Sequence, residues 1–374
     1  MEYFIEISKI VEGALNGDKK RVVAYLDQLS QKLKKAGDTD AAENLMKYAG
    51  NSSNTVGLSG ISNQRLPVDS ESRLSLADES FIHKGDVSIV MPQNKKDKVN
   101  EFLTYIKNST KLITSGVGIS PSLLIYGPPG VGKTELARYI ASQLELPLLT
   151  ARTDSLISSY LGSTAKNIRL LFDHANSCPC ILFLDEFDAI AKLRDDQHEM
   201  GELKRVVISL LQNIDSLNND TILLAATNHE HLLDPAIWRR FTYRIEFSLP
   251  TQPEIKQLIE LFLSKYMSKK INLDMLVNVA LGLDGATIRQ ECENTIRHAV
   301  LSRRKNADND VLLKNLVFAQ LPQEFSFDVK DNNSLAVFIK KFNGKISQGK
   351  MAELFSTSDS TISRKITEME VVHE

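Results

Sequence analysis

Gly127-Pro128-Pro129-Gly130-Val131-Gly132-Lys133-Thr134 is the stretch whose reading decides the fold. It fits G-x-x-x-x-G-K-[ST] in full. Before it, Leu123-Leu124-Ile125-Tyr126 reads as a short buried strand. After it, Glu135 to Leu144 reads as a helix. Strand, glycine-rich loop and helix, in that order, separate a phosphate-binding loop from an ordinary glycine turn. Glycines let the backbone curl tightly around an anion, so that the N–H groups point inward. The helix N-terminus adds partial positive charge at the same place. Lys133 has the reach for the β- and γ-phosphates of ATP, and the Thr134 hydroxyl suits Mg²⁺.

Working outward, Pro147-Leu148-Leu149-Thr150 reads as a second strand and Ala165 to Ala175 as a helix. Cys180-Ile181-Leu182-Phe183-Leu184 is a strongly apolar strand that ends in Asp185-Glu186. A buried parallel strand places both acids at its carboxyl end, where such sheets bind ligands. Asp185 is then the magnesium ligand and Glu186 the group that polarises the attacking water; a charged turn after a core strand is the plainer alternative. Residues 202–214 read as an amphipathic helix. Thr221 to Ala226 is another buried strand, stopping at Thr227-Asn228. An amide at that tip is a candidate for the γ-phosphate or the water. Leu232 to Phe241 follows, with Arg239 and Arg240 adjacent on a short helix.

Bulk properties agree with a soluble globular chain. Of 374 residues, 42% are apolar and 25% charged. The net charge of −2 creates no global field toward nucleic acid or anionic membrane. The three cysteines give no disulfide framework and suit a reducing cytosol. Cys178-Pro179-Cys180 has half the spacing of a metal site but no second pair nearby, which favours core packing. No apolar run has the length of a membrane span and Met1-Glu2-Tyr3 opens no signal peptide, so a cytoplasmic location is expected.

Residues 1–50 read as two or three short helices. Phe4, Ile7, Val11 and Leu15 share one face, as do Val22, Leu26, Leu29 and Leu33. This is either a packing element or an adaptor that docks a partner. Residues 51–70 are small and polar and read as a flexible tether, with the pattern tightening from about Pro67. Asp97 to Ile113 reads as a helix leading to the loop.

Four motifs now stand in order: the loop, Leu184-Asp185-Glu186, Ala226-Thr227-Asn228, and Asp234-Pro235-Ala236 with Arg239-Arg240-Phe241. Together they resemble the AAA ATPases, closest in feel to single-ring bacterial members and the katanin and spastin type. The resemblance covers roughly residues 75–318. It implies an α/β fold: a P-loop NTPase parallel sheet with helices on both faces at residues 71–250 and a helical lid at residues 251–320. The lid helices would be Glu254–Met267, Leu273–Leu281 and Thr287–Arg303. It also implies a homo-oligomeric ring, most often a hexamer, with ATP and Mg²⁺ between subunits. By this resemblance Gly127, Pro128, Pro129, Gly130, Val131, Gly132, Lys133, Thr134, Glu135 and Asp185 line the nucleotide. Asn228 is the first sensor, and Arg239 and Arg240 match the arginine fingers, although adjacent here rather than separated. Gly285-Ala286-Thr287-Ile288 matches the small-domain motif near the adenine, with Gly285 and Ala286 as nucleotide contacts and Thr287 in place of Asp. Tyr160-Leu161-Gly162 matches the aromatic-hydrophobic-glycine pore loop, with Ser159 for the usual Lys and Ser163 for the usual Glu. A ring of tyrosines grips an extended chain without reading its sequence. Arg194 to Gly201 is a candidate second pore loop. The implied activity is ATP hydrolysis coupled to remodelling, unfolding or threading of a protein client chosen by the N-terminal helices.

Residues 333–374 fall outside such a core. Ser334–Phe342, Gln348–Phe355 and Ser360–Met369 read as helices, the last two resembling a helix-turn-helix. Ala352, Leu354, Ile362 and Ile366 would form its small core. From Lys340 to Ile366 six basic residues face two acids, a local balance of +4. Ser360, Thr361, Ser363 and Arg364 are the candidate DNA contacts. The alternative function is therefore a DNA-engaged ATPase or switch, for example in phage defence. The plainer reading of this tail is packing or partner binding.

Overall fold

The computed structural model describes residues 3–15, 19–50, 66–69, 72–157, 161–191, 200–268, 271–322 and 332–371. The chain divides into two compact units. One holds residues 1–89, 93–127 and 133–247, the other residues 90–92, 128–132 and 248–374.

The first unit opens with three helices, α1 (Phe4–Leu15), α2 (Lys19–Lys35) and α3 (Thr39–Gly50). Gly13 lets α1 and α2 approach closely: a Cβ there would lie 3.1 Å from Val22 Cγ2. Ser30 Oγ donates to the Ala42 carbonyl at 3.1 Å, and Leu29 and Ala42 are buried. The apolar stripe on α1 behaves differently from a packing face. Ile7, Val11 and Leu15 are 46%, 51% and 83% exposed, so this face points outward.

The rest of the unit is a six-stranded sheet in the order β1-β3-β4-β5-β2-β6. The strands are β1 (Ala77–Ser80), β2 (Ser122–Tyr126), β3 (Leu148–Ala151), β4 (Ile181–Leu184), β5 (Ile222–Thr227) and β6 (Tyr243–Glu246). Five run parallel, while β1 pairs antiparallel with β3 at the edge. The expected α/β fold with a parallel sheet between helices is present, and β1 adds one antiparallel strand at its edge. Every residue of β4 and β5 is buried, as both-face coverage by helices requires. Those helices include α4 (Gln93–Lys107), α5 (Ser109–Thr114), α6 (Lys133–Leu144), α7 (Thr153–Leu156), α8 (Leu161–Ser177), α9 (Phe187–Ala191), α10 (Met200–Asp215) and α11 (Pro235–Trp238). The single helix expected over Asp97–Ile113 is two, meeting at Asn108. Residues 67–69, placed in the tether by the sequence, close against the sheet edge: Leu76 N–H donates to the Pro67 carbonyl at 2.8 Å, and Asp69 is buried beside Asn167 Nδ2 at 3.0 Å. Residues 51–65 and 70–71 of that expected tether lie outside the described residues.

The second unit is helical: α12 (Gln252–Leu263), α13 (Leu273–Ala280), α14 (Gly285–Leu301), α15 (Asn309–Phe318), α16 (Asn332–Phe342), α17 (Gln348–Leu354) and α18 (Asp359–Val371). The starts are written into the sequence. Thr251 and Glu254 form a capping box for α12, and Asn272, Asp284, Asp308 and Ser347 cap four others through side-chain oxygens. One apolar core runs from Ile255 through Leu312 to Phe338, Phe355 and Ile366. Ala352, Leu354, Ile362 and Ile366 are buried as expected, but in this shared core and not in a small one of their own.

Candidate functional site

β2 lies between β5 and β6 with Tyr126 opposite Thr227, so the turn after Tyr126 and Asn228 emerge side by side. At that turn Gly127 has φ 138°, and a Cβ there would collide with the Phe247 carbonyl oxygen. Glycine is required because the loop leaves the sheet pressed against the chain that follows β6.

Lys133 opens α6 and is almost fully buried. Its Nζ donates to the Gly127 carbonyl at 2.8 Å and to Asn228 Oδ1 at 2.6 Å. Burial pulls its pKa below the ordinary lysine value, against the opposing pull of Asp185, Asp188 and Glu230. A buried lysine whose ammonium faces this half-buried cluster at the strand tips is placed for a polyanion. Thr134 Oγ1 donates to Asp185 Oδ2 at 2.8 Å. A hydroxyl and a carboxylate converging this way form an oxygen donor set that fits a hard divalent cation. Glu186 is exposed and has φ 49°, and its N–H donates to Asp185 Oδ1 at 2.9 Å. A non-glycine residue in the left-handed region at a strand tip is the kind of strain that functional sites retain. Glu135 faces Arg138 at 3.9 Å.

Asp188 was missed by motif reading. Its Oδ1 accepts from Thr227 Oγ1 at 2.8 Å and from Asn228 N–H at 3.4 Å. It therefore ties the tip of β5 to the first turn of α9 and holds the backbone of Asn228. The only signal in sequence was a third carboxylate three residues after Asp185.

Arg239 and Arg240 follow α11, whose start is set by Asp234. That side chain accepts from Ala236 N–H at 2.7 Å, with Pro235 next to it. The two arginines differ. Arg240 grips Asp215, at the end of α10, with two hydrogen bonds of 2.8 Å, and donates to the Ala236 carbonyl. Arg239 is exposed and makes no ion pair among the described residues.

In the second unit, residues 128–132 of the loop pack with the start of α14. Ala286 N–H donates to the Gly130 carbonyl at 2.9 Å. Gly130 has φ 74°, and a Cβ on it would strike the Asp284 carboxylate. Gly285 and Ala286 thus sit directly against the phosphate loop.

Of the pore loop, Tyr160 lies outside the described residues, and Leu161 and Gly162 open α8. Residues 194–199 of the second candidate loop also lie outside them, while Gly201 is within α10. In the tail, Ser360 Oγ and Thr361 Oγ1 lie 2.8 and 2.9 Å from Ser358 Oγ. Ser363 is exposed and Arg364 is 3.8 Å from Glu368. Lys365 also faces Glu368, and Lys350 lies 2.7 Å from both Asp310 and Glu353. Asp310 and Glu368 fall outside the stretch whose charge was counted, so the local excess of cations is smaller in space than along the chain.

Residues 123–249 match the family model described as ATPase family associated with various cellular activities (AAA). Residues 123–249 thus carry an AAA ATPase domain. It is 43% identical over 192 residues to an uncharacterized AAA family ATPase of Sinorhizobium fredii, covering 51% of this chain and 57% of that protein. It is 35% identical over 221 residues to a putative 26S proteasome regulatory subunit homolog of Methanocaldococcus jannaschii, covering 58% and 59%. It is 30% identical over 227 residues to an ATP-dependent zinc metalloprotease FtsH 3 of Sphaerobacter thermophilus, covering 59% and 46%. The chain thus spans about half the length of the curated relatives it matches. Among the described residues no helix is long and apolar enough to cross a membrane.

Proposed function

We propose that this chain is a Mg²⁺-dependent ATPase that assembles into a ring, most simply a hexamer, and uses hydrolysis to remodel or thread a protein partner through a pore loop carrying Tyr160. The observation that carries this reading is the cluster at the strand tips, where Lys133 meets Asn228 and Thr134 meets Asp185, with Glu186 exposed beside them.

Each side chain then has a task. Lys133 leaves Gly127 and Asn228 for the phosphates, and the backbone N–H groups of the loop cradle them. Thr134 and Asp185 hold the magnesium ion, which when bound neutralises charge on the phosphates. Glu186 takes the proton of the attacking water, and Asn228 orients that water under the hold of Asp188. Arg239, exposed and without an ion pair among the described residues, reaches the triphosphate of the neighbouring subunit. Arg240, clamped to Asp215, braces the turn that aims it. The N-terminal helices select the client, their outward stripe of Ile7, Val11 and Leu15 being the apolar surface offered.

Replacing Glu186 by Gln is expected to leave ATP bound and to cut hydrolysis by about a hundredfold or more. Hydrolysis at the wild-type rate overturns the assignment. Arg239→Ala is expected to lose turnover without losing nucleotide affinity, and mixing it with the Lys133→Ala variant should restore part of the activity if the arginine acts on a neighbour. Client processing that survives Tyr160→Ala removes the threading role and leaves the ATPase.

A further inference from the structure

The carboxyl ends of β4 and β5 carry the chemistry, but their amino ends carry something else. The turn before β5 is Asn218-Asn219-Asp220, and the turn before β4 is Cys178-Pro179. Asp220 receives two cations from the N-terminal helices. Lys9 of α1 lies 2.7 Å from its Oδ1, and Arg21 of α2 pairs with its Oδ2. Glu12 bridges the same two cations at 3.1 and 3.7 Å. Lys9, Arg21 and Asp220 are 12%, 21% and 15% exposed, so removing one of them leaves the others unanswered in a partly dehydrated contact. Beside them the contact is hollow: a cavity of about 380 Å³ lies between the helices and the sheet, with Lys32, Lys84, Lys107 and Glu145 among its lining. Burial raises the Glu145 carboxyl, yet Lys84, Lys35 and Lys32 together hold it below its ordinary range, which brings α2 into the same charge network. Among the described residues, the apolar core of the sheet, from Leu76 to Phe241, includes no side chain of the N-terminal helices, and their apolar contribution to the contact is the buried Tyr25, which lines the cavity together with Pro179 and Ile222.

A module joined by ion pairs around a cavity, with little apolar surface shared with the core of the sheet, is built to come off. We propose that Asp220 is the keeper of an electrostatic latch, and that the three-helix bundle leaves the strand-start end of the sheet as one body when this latch opens. The latch stands independently of the nucleotide chemistry. Its release uncovers the Asn218–Asp220 turn and the Cys178-Pro179 turn, at the far ends of the strands that carry Asn228 and Glu186.

The test is hydrogen exchange on the full chain. In low salt, residues 176–180 and 218–222 should be protected, and raising ionic strength to about 1 M should speed their exchange by at least about tenfold while β4 and β5 stay protected. Asp220→Arg should give the fast exchange in low salt, and adding Lys9→Glu with Arg21→Glu should restore protection. Binding of a fluorescent ATP analogue reports whether each variant is folded. Exchange at these turns that ignores both salt and Asp220→Arg in a nucleotide-binding variant overturns the latch. If Asp220→Arg does not fold, the wild-type salt titration decides alone: no acceleration by salt refutes the proposal.

Discussion

β4 and β5 each have two working ends, and the ends are built by different means. At the carboxyl ends, short hydrogen bonds among neighbours hold Lys133, Asp185, Asp188 and Asn228 within one small cluster. At the amino ends, Asp220 reaches helices about two hundred residues earlier in the chain through ion pairs over a cavity. The first end is stiff and its residues must be placed to fractions of an ångström for catalysis. The second end tolerates looseness, because charge attraction falls slowly with distance. One pair of strands thus joins a rigid site to a detachable one.

Substitutions can break this contrast. The largest effect is expected from Lys133→Ala: nucleotide affinity should fall about tenfold to a hundredfold by fluorescent titration, since a charge-assisted contact is lost. Exchange protection at residues 218–222 should not change. A coupled loss there would mean the two ends are not separable. Asp188→Ala should lower turnover by about tenfold with affinity nearly unchanged, because it frees Asn228 without touching the phosphates. Equal loss in affinity would make Asp188 a binding residue instead. At the opposite end, Thr221→Val removes a 3.1 Å hydrogen bond from a buried hydroxyl to the Ala175 carbonyl. Stability to denaturant should drop by about 1 kcal/mol with turnover intact. The smallest effect is a reactivity order. The Cys180 hydrogen bond holds the Cys178 thiol below its ordinary pKa, whereas burial pushes Cys292 up to about 12. A thiol reagent should label the half-buried Cys178 before the buried Cys292 as pH rises from neutral, and Cys292 only after unfolding; the reverse order by mass spectrometry would overturn this ranking.

The rigid end was legible in sequence because its chemistry is local. The loop, the Asp185-Glu186 pair and Asn228 each sit at the tip of an apolar run, and such runs announce their own ends. Partners that meet across the fold left no such trace. Asp188, Asp215 and Asp284 look like surface acids in the chain, yet they hold Thr227, Arg240 and the cap of α14. β1 and β6 were not foreseen because four residues reading Ala-Asp-Glu-Ser or Tyr-Arg-Ile-Glu, mostly exposed, carry no strand period of useful length. In the tail the helices could be read from their apolar spacing, but spacing does not say which neighbour a helix buries itself against. Charge partners are equally silent in sequence: Lys350 is answered by Asp310, forty residues away.

The hydrogen bond from Ala286 to Gly130 reaches further than its length implies. α14 shares one apolar core with α17 and α18, so close packing links a shift of the loop at Gly130 to Ile362 and Ile366. Anything that grasped the last two helices would be holding the far end of a lever whose short arm rests on the nucleotide loop.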